Sequence, residues 1–548
     1  MNLRRIRFFP LGGSIRLLFA AFLAASGAAL ARDAVTARQF MVTSAHPLAT
    51  QAGYDVLRRG GSALDAAIAV QLVLGLVEPE SSGIGGGAFL LHWSEAEKKL
   101  RTYDGRETAP AAARADRFLA KDGKPLGFHD AAVGGRSVGV PGVFRMLELA
   151  HARHGRLPWA QLFQPAIDAA EKGFVPTPRL QGLLDEETFL RADPRARDVY
   201  YARNREAPIV NREYGATLRA VAANGSRVFY EGDIAADIVR AVRSNAKPGD
   251  LTLGDMAAYR PVEREPLCGP YRVWMLCSMA PPSSGGVAVL QILGILERTP
   301  FAAAPAQSAR AVHFFAEAAR LAYADRGRYL GDPDFVPVPV ARLLSPAYLQ
   351  KRAALIGERS MRLSMPGDME SGTSHFSIVE KNGDAVAMTT TIETVFGSRI
   401  MVRGFLLNNE LTDFDFVPGS ANAVAGGKRP RSSMAPTMVF DRDRRLQLVI
   451  GSPGGSQIIN YVAKTLVGVL DWKLDVQSAI ELPNFGSRNG PTQIEAGSRY
   501  EALASELHAR GHDVRFSAMQ SGLHGIERVK DGWRGGADSR RDGMVRGD

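Results

Sequence analysis

The chain has 548 residues, of which 45% are hydrophobic and 23% charged, with 56 glycines and 31 prolines. This globular composition supports a large core, and neither an internal repeat nor a long low-complexity run suggests a solenoid or a disordered protein. The formal net charge is +10, but no run of Lys or Arg is interleaved with aromatic residues. The composition therefore argues against a nucleic-acid-binding stripe.

The first 31 residues differ from the rest of the chain. Four arginines between residues 4 and 16 precede an apolar run over 17–25, and Ala29-Leu30-Ala31 ends the segment. This order is typical of a secretory signal peptide, and the run is too short for a bilayer, which needs ~20 apolar residues. We predict cleavage after Ala31, which lowers the formal charge to +6. The mature protein is then periplasmic or secreted, without a membrane span.

Two cysteines, Cys268 and Cys277, are the only ones in the chain. They flank Gly269-Pro270-Tyr271, which we predict to be a turn between two extended stretches. A disulfide formed in an export compartment and two unpaired thiols both fit this spacing. Because no cluster of His or acidic residues accompanies them, the sequence indicates neither a metal site nor a thiol nucleophile.

Apolar periodicity predicts a helix over residues 61–76, capped by Ser62, and a strand over 88–93. The glycine-rich stretch 81–87 between them matches the spacing of a dinucleotide-binding fingerprint. That fingerprint requires strand, glycines and then helix, whereas here the order is reversed, so no nucleotide cofactor is predicted. Further helices are predicted over 143–154, 159–172, 309–324 and 345–357.

Residues 365–372 have the composition of an exposed linker, after which the period changes. Residues 375–379 and 385–391 alternate as strands do, and 381–383 form a three-residue loop with Gly383 suited to the left-handed position. Counting back from this loop places Thr373 opposite Thr391, which brings two hydroxyls to the open end of a hairpin. A purely structural hairpin also fits this pattern, because threonine is common in strands.

Eight segments between about Ala34 and Gly536 resemble γ-glutamyltranspeptidases and occur in the order found in that family. A single short string of this kind can arise by chance, but eight in collinear order are a specific signal. The segments are 77–79 (VEP) with the glycines after it, 104–110 (DGRETAP), 281–286 (PPSSGG), 323–326 (YADR), 373–377 (TSHFS), 405–414 (FLLNNELTDF), 428–437 (KRPRSSMAPT) and 451–456 (GSPGGS).

The resemblance implies a precursor that cuts itself between Gly372 and Thr373. It implies a large subunit of residues 32–372 and a small subunit of residues 373–548, which together form a heterodimer. The implied fold is the four-layered αββα sandwich of N-terminal nucleophile (Ntn) hydrolases, an α+β fold shared by both subunits. Neither a cofactor nor a metal is implied.

The chemistry explains why such a nucleophile begins a chain. A threonine hydroxyl needs an adjacent base, and cleavage converts the Thr373 amide nitrogen into an α-amine that titrates near ~7.7–8.0. The resemblance gives the Thr391 hydroxyl the role of orienting Thr373. It also assigns the oxyanion hole to Gly454 and Gly455, whose backbone N–H groups can stabilise charge developing on a substrate oxygen.

The donor implied by the resemblance is glutathione or another γ-glutamyl compound, and the acceptor is water, an amino acid or a dipeptide. Arg106 is placed to hold the donor α-carboxylate by a bidentate fork, with Ser432 and Ser433 adding hydroxyl donors. Glu410 and Asp413 are placed to accept from the donor ammonium.

Two departures from the family pattern affect the substrate. Glu393 stands where well-known members have Asn. Glutaryl-cephalosporin acylases are similar to this chain at that position, and they form an alternative assignment. Asp413 argues for the γ-glutamyl donor, because a glutaryl chain leaves this carboxylate unpaired. The segment 416–423 is short where some members have a lid, so hydrolysis is expected to rival transfer. Measuring product partition with glycylglycine tests this expectation.

Two further alternatives use other features of the sequence. Gly135-Arg136-Ser137-Val138-Gly139 fits the nucleophile elbow of α/β-hydrolases, but its strand context is weak and no Asp and His partners follow in defined places. A degenerate family member that only binds γ-glutamyl compounds is the second alternative. It is disfavoured because every residue of the implied catalytic set is present.

Overall fold

A computed structural model describes residues 32–361 and 372–548. The predicted signal peptide (1–31) and all of the predicted linker except Gly372 lie outside these residues. The described residues from 34 onwards form one compact unit. Within the described ranges, no helix has the length and apolar character needed to span a bilayer.

The strands of the described residues carry the labels β1 to β19. They are β1 (Val35–Ala37), β2 (Met41–Ser44), β3 (Gly87–Ser94), β4 (Lys99–Gly105), β5 (Val262–Arg264), β6 (Leu267–Tyr271), β7 (Trp274–Ser278), β8 (Gly372–Val379), β9 (Ala385–Glu393), β10 (Met401–Val402), β11 (Phe405–Leu406), β12 (Thr437–Phe440), β13 (Leu446–Gly451), β14 (Phe485–Ser487), β15 (Thr492–Glu495), β16 (Val514–Ser517), β17 (His524–Val529), β18 (Gly532–Ala537) and β19 (Met544–Gly547).

The α-helices of the same residues carry the labels α1 to α18. They are α1 (Pro47–Arg58), α2 (Ala63–Val77), α3 (Phe128–Ala132), α4 (Val143–His154), α5 (Gln164–Lys172), α6 (Pro178–Glu186), α7 (Pro194–Ala196), α8 (Arg212–Asn224), α9 (Arg227–Tyr230), α10 (Asp233–Arg243), α11 (Leu253–Ala258), α12 (Gly285–Leu296), α13 (Ala309–Tyr329), α14 (Val340–Leu343), α15 (Pro346–Ala353), α16 (Ile458–Leu470), α17 (Val476–Glu481) and α18 (Ala504–Ala509).

Two seven-stranded sheets form the centre of the molecule, in the orders β1-β18-β17-β13-β12-β7-β6 and β19-β2-β8-β9-β3-β4-β5. They face each other through β8, β9, β13 and β17, where Ser377 Oγ donates to the His524 carbonyl at 3.3 Å. Helices α1 and α2 cover the second sheet, and α12, α16 and α17 cover the first. The predicted αββα sandwich is thereby confirmed.

The helix predicted over 61–76 is α2, and its start is set by a capping box. Ser62 accepts from the Asp65 backbone N–H, and the Asp65 carboxylate accepts from the Ser62 N–H. Every residue of α2 is buried, because the helix lies between the sheet and the outer helices α4 and α5. The apolar composition of α2 on all sides follows from this position.

Most other predicted helices are confirmed, with shifts at their ends. The helix predicted over 159–172 divides into a 3₁₀ turn (Trp159–Phe163) followed by α5. Pro165 accounts for the division, because proline has no N–H to donate and is best placed in the first turn of a helix. Helix α13 runs five residues beyond its predicted end, and α15 begins and ends within its predicted span.

The predicted hairpin is formed by β8 and β9 with the expected register. Thr373 lies opposite Thr391, and the Glu380 N–H donates to the Asp384 carbonyl at 2.9 Å across the loop. Gly383 has φ of 92°, the left-handed conformation that favours glycine. The structure therefore places the Thr373 and Thr391 hydroxyls next to each other at the open end of the hairpin.

The turn predicted at 269–271 is wrong by two residues. Those residues belong to β6, Tyr271 pairs with Trp274 of β7, and the chain reverses at Arg272, which has φ of 55°. The Gly-Pro sequence suggested a turn there, but strand pairing with β7 prevails. This register puts Cys268 opposite Cys277, and the two form a disulfide.

Candidate active site

The open end of the β8–β9 hairpin holds a chain of hydrogen bonds around the proposed scissile bond. Thr373 Oγ1 lies 3.5 Å from Thr391 Oγ1, and Thr391 Oγ1 donates to the Gly372 carbonyl at 2.7 Å. The Glu393 N–H donates to the same Thr391 oxygen at 2.8 Å. A bulge between Gly372 and Thr373 shifts the register, so that the Gly372 carbonyl faces the Thr391 hydroxyl.

Close packing explains why glycine precedes Thr373. A Cβ at position 372 would lie 2.4 Å from the Glu80 carbonyl oxygen, far inside van der Waals contact. On the following residue, the Thr373 carbonyl accepts from Arg541 Nη1 at 3.0 Å, and Ser374 Oγ donates to Glu78 at 2.7 Å. These contacts fix the backbone on both sides of the 372–373 peptide bond.

The two glycines predicted as the oxyanion hole lie at the start of α16. Gly454 has φ of 128°, and a Cβ there would meet the Tyr461 ring at 2.5 Å. Gly455 begins the 3₁₀ turn that leads into α16, where unpaired N–H groups and the positive end of the helix dipole are found. Gly455 lines the same cavity as Thr373, and Gly454 lines a second cavity with Gly372.

Thr373 opens into a cavity of about 320 Å³, which we call the donor cavity. It brings together every predicted catalytic and substrate-binding residue except Gly454. Its lining includes Arg106, Thr373, Thr391, Glu393, Glu410, Asp413, Ser432, Ser433 and Gly455 from the prediction, and Phe128, Arg326, Phe414, Asp415, Phe416 and Arg431 besides.

The Arg106 guanidinium is already engaged by protein groups. It forms ion pairs with Glu410 and Asp413, and its Nε donates to the Pro430 carbonyl at 3.1 Å. Burial alone would lower the pKa of Arg106, but Glu410 and Asp413 raise it above its usual value. The bidentate fork predicted for a substrate carboxylate is thus occupied in this structure by two carboxylates of the chain.

Burial strongly perturbs the acidic residues of this site. It raises the pKa of Glu410 to about 7 against the opposing effect of Arg106. Burial, followed by repulsion from Asp413 and Glu410, raises the pKa of Glu393 well above its usual value. Glu393 also accepts from Asn409 Nδ2 at 2.6 Å. The pKa of the buried Glu107 is raised in the same way, first by burial and then by repulsion from Glu410.

These shifts determine the charge balance of the donor cavity. Burial favours the neutral forms of Glu393 and Glu107, whereas Glu410 is negative above about pH 7. Glu410 and Asp413 both pair with the Arg106 guanidinium, and the cavity lining also includes Arg326 and Arg431. Acidic and basic side chains thus line the donor cavity together, which suits a ligand that carries both an ammonium and a carboxylate.

Two arginines of the donor cavity were missed as site residues, although both lie in motifs noted in the sequence. Arg326 donates to Ser433 Oγ at 2.8 Å and to Ser284 Oγ at 2.9 Å. Arg431 pairs with Asp415 at 3.1 Å, and burial lowers its pKa to about 10. Their positions within the YADR and KRPRSS segments could have identified both as site residues.

The structure does not support Ser137 as a nucleophile. Its hydroxyl is buried in a 3₁₀ turn and donates to the carbonyls of Ala132 at 2.6 Å and Gly134 at 3.0 Å. An elbow requires a strand before the serine and an exposed hydroxyl, and neither is found at this position. The α/β-hydrolase interpretation is therefore wrong.

One group with metal-ligand chemistry occurs in the described ranges, formed by His313, Glu317 and His512. His313 Nδ1 lies 2.8 Å from His512 Nε2, while the other ring nitrogens reach the Gly357 carbonyl at 2.8 Å and Thr492 Oγ1 at 2.7 Å. All four ring nitrogens have protein partners, so the group is explained as a hydrogen-bonded core network.

A threonine on a central strand of two stacked sheets, enclosed by helices on both outer faces, defines the class of Ntn hydrolases. The family model described as γ-glutamyltranspeptidase matches residues 49–547. The chain belongs to this family.

Relatives with similar sequences carry the name glutathione hydrolase proenzyme. One from Bacillus subtilis (strain 168) is 35% identical over 92% of this chain and 91% of its own. One from Escherichia coli (strain K12) is 37% identical with the same coverage. A solved structure of a cephalosporin acylase from Bacillus halodurans superposes with a TM-score of 0.84, at 28% identity, over 94% of this chain and 97% of its own.

Proposed function

We propose that the chain is an exported, self-processing γ-glutamyltranspeptidase that also acts as a glutathione hydrolase. The observation that carries the proposal is the chain of contacts from Thr373 Oγ1 through Thr391 Oγ1 to the Gly372 carbonyl, at the wall of a charged cavity. The relatives' names as glutathione hydrolase proenzymes support it. Processing would give subunits 32–372 and 373–548, held as a heterodimer.

Self-cleavage begins with attack of Thr373 Oγ1 on the Gly372 carbonyl carbon. Negative charge develops on the Gly372 oxygen, where the Thr391 hydroxyl already donates a hydrogen bond. Collapse breaks the C–N bond, the proton lost by Oγ1 moves to the departing Thr373 nitrogen, and the acyl group is left as an ester on Oγ1. Water then hydrolyses the ester, which frees the Gly372 carboxylate, the Thr373 hydroxyl and the Thr373 α-amine.

Replacing Thr391 with valine should slow this cleavage by about 10²–10³-fold, the usual cost of losing one oxyanion donor. Valine keeps the strand and its volume but has no hydroxyl for the Gly372 carbonyl. The fraction of cut chain, followed over time on a denaturing gel, measures the rate. Thr390→Val is the matched control, since its hydroxyl donates to the Gly87 carbonyl instead. Processing of Thr391→Val at the wild-type rate would contradict this role.

In the mature enzyme, the Thr373 α-amine takes the hydroxyl proton as Oγ1 attacks the γ-carbonyl of the donor. The N–H groups at Gly454 and Gly455 stabilise the oxyanion. The α-amine then passes the proton to the departing amine, leaving a γ-glutamyl ester on Thr373. Water or an acceptor amine attacks this ester, and Thr373 is regenerated. The short segment 416–423 leaves the ester open to water, so hydrolysis rivals transfer.

Donor recognition follows from the charges in the donor cavity. The donor ammonium approaches Asp413 and Glu410, and its α-carboxylate approaches Arg106, Ser432 and Ser433. Because the Arg106 fork is paired with Asp413 and Glu410, binding rearranges one ion-pair network instead of filling a free fork. Arg326 adds positive charge beside Ser433.

A glutaryl amidase is the second candidate, favoured by Glu393 and by the similarity to a structure named cephalosporin acylase. A glutaryl group has no ammonium, so Asp413 and Glu410 would keep their ion pairs with Arg106 but would gain no contact with the donor. We therefore expect kcat/KM for a γ-glutamyl anilide to exceed that for the glutaryl anilide by about 10²-fold. This factor corresponds to the free energy of one or two hydrogen bonds to a charged group. Equal or reversed values would favour the acylase assignment.

The N-terminus of the small fragment tests the processing site directly. Edman or mass analysis should find Thr373 as its first residue. A purified protein that remains one chain and still hydrolyses γ-glutamyl amides at full rate would overturn the proposal.

A further inference from the structure

Asn422 is a buried residue whose side chain joins two segments of the donor cavity. It is 0% exposed and lies in the short segment 416–423. Its Nδ2 donates to the Asp413 carbonyl at 2.7 Å, and its Oδ1 accepts from the Arg431 N–H at 2.9 Å. Because a carbonyl only accepts and a backbone N–H only donates, these two partners fix the orientation of the amide. Asp413 and Arg431 both line the donor cavity.

The bond to Asp413 stabilises the turn that carries the carboxylates proposed for the donor ammonium. Glu410 and Asp413 are the first and last residues of a 3₁₀ turn. The last carbonyls of a helical turn have no partner within the turn, and the Asn422 amide supplies one for Asp413. Asn422 therefore fixes the end of the turn at the residue whose carboxylate is proposed to contact the donor.

The bond to Arg431 fixes the segment proposed for the donor carboxylate. Arg431 directly precedes Ser432 and Ser433, whose hydroxyls are placed to donate to that carboxylate. The Arg431 guanidinium also pairs with Asp415 at 3.1 Å, and Asn422 Nδ2 lies 3.4 Å from the same Asp415 oxygen. The segments 413–415 and 431–433 are therefore connected twice, once through the Asn422 amide and once through this ion pair.

The backbone around Asn422 is itself held in place. The Asn422 N–H donates to Ser420 Oγ at 3.2 Å. Lys428 Nζ, at the end of a side chain that is 3% exposed, donates to the Ala421 carbonyl at 2.8 Å and to the Ala423 carbonyl at 2.9 Å. Because the residues on both sides of Asn422 are anchored, its amide acts as a fixed spacer between the two segments.

We infer that Asn422 is a positioning residue that sets the distance between the ammonium side and the carboxylate side of the donor cavity. The α-ammonium and α-carboxylate of a donor are bonded to one carbon atom, so their separation is fixed. Both contacts form together only when the two sides of the cavity are held at the matching distance. Asn422 thereby makes the site selective for donors that carry both charges. This inference rests on the proposed function and adds a specificity-determining residue to it.

The test compares three anilides on purified, processed protein: γ-glutamyl, glutaryl, which lacks the ammonium, and 4-aminobutanoyl, which lacks the carboxylate. For Asn422→Ala, we expect the kcat/KM ratios of γ-glutamyl to glutaryl and of γ-glutamyl to 4-aminobutanoyl each to fall about tenfold, the factor for one hydrogen bond. A residue that only stabilises the fold would lower the yield of protein and leave both ratios unchanged. Asn484→Ala is the matched control, because Asn484 is equally buried and its Nδ2 donates to the Met519 carbonyl and to Ser521 Oγ.

The outcomes separate this inference from the proposed function. If wild-type protein hydrolyses no γ-glutamyl amide, the proposed function fails. If wild-type protein is active and Asn422→Ala leaves either ratio unchanged, the inference fails, whether or not overall activity falls. Should Asn422→Ala not be processed, Asn422→Ser decides by the same two ratios, because its hydroxyl is too short to reach both segments. If neither variant is processed while Asn484→Ala is, Asn422 is a folding residue and the inference fails.

Discussion

Thr373→Ala is expected to remain a single polypeptide and to lose turnover of γ-glutamyl amides by at least about 10⁴-fold, as for removal of a catalytic nucleophile. The change removes the oxygen that attacks the Gly372 carbonyl, so neither the ester nor the α-amine forms. The variant therefore loses both processing and turnover, because one residue supplies both the nucleophile and its base. Denaturing gels and release of the anilide measure the two effects separately.

Thr373→Ser provides the control for this experiment. It retains the hydroxyl and is expected to process and to turn over, at a reduced rate, because serine lacks the methyl group that restricts χ1. A Thr373→Ala protein that appears as two fragments, or that hydrolyses the anilide at more than a trace, would show that another residue is the nucleophile.

Arg106→Gln is expected to lower kcat/KM for γ-glutamyl donors by about 10²–10³-fold, since breaking a buried ion pair costs about 3–5 kcal/mol. Arg106 is 1% exposed and is the partner of both Glu410 and Asp413. Without it, the two carboxylates repel each other, and the donor carboxylate keeps only the Ser432 and Ser433 hydroxyls and the more distant charge of Arg326. Steady-state kinetics on purified, processed protein provide the measurement.

Stability must be followed in the same variant, because Glu410 is buried. Protonation of Glu410 can relieve part of the uncompensated charge, as the raised pKa of about 7 indicates. Arg114→Gln is the matched control, because Arg114 has a side-chain exposure of 84%. If Arg106→Gln and Arg114→Gln give the same kcat/KM, Arg106 has no part in donor binding.

Local features of the fold were predictable from the sequence because local rules set them. The Ser62–Asp65 capping box fixed the start of α2, and the alternation around Gly383 fixed the register that pairs Thr373 with Thr391. The turn near Cys268 was misplaced for a related reason. A Gly-Pro pair is a local turn signal, but pairing of β6 with β7 overrides it.

The candidate site was predictable as a set of residues but not as an arrangement. Family motifs named nine residues that the structure places around the donor cavity. They did not reveal that Arg106 pairs with Glu410 and Asp413, because 304 and 307 positions separate these residues in the chain. Arg326 was missed for the same reason, since its contact with Ser433 depends on how α13 packs against a distant loop.

The strand order has a consequence for how the two proposed subunits stay together. Strands from the two proposed subunits lie next to each other at several places. In one sheet these neighbours are β19/β2, β2/β8 and β9/β3, and in the other they are β1/β18 and β12/β7. Both sheets thus contain strands from both subunits, and no flat boundary exists along which the subunits can separate. Cutting the backbone frees a chain end without creating a detachable partner, so separating the pieces and melting the protein are one physical event.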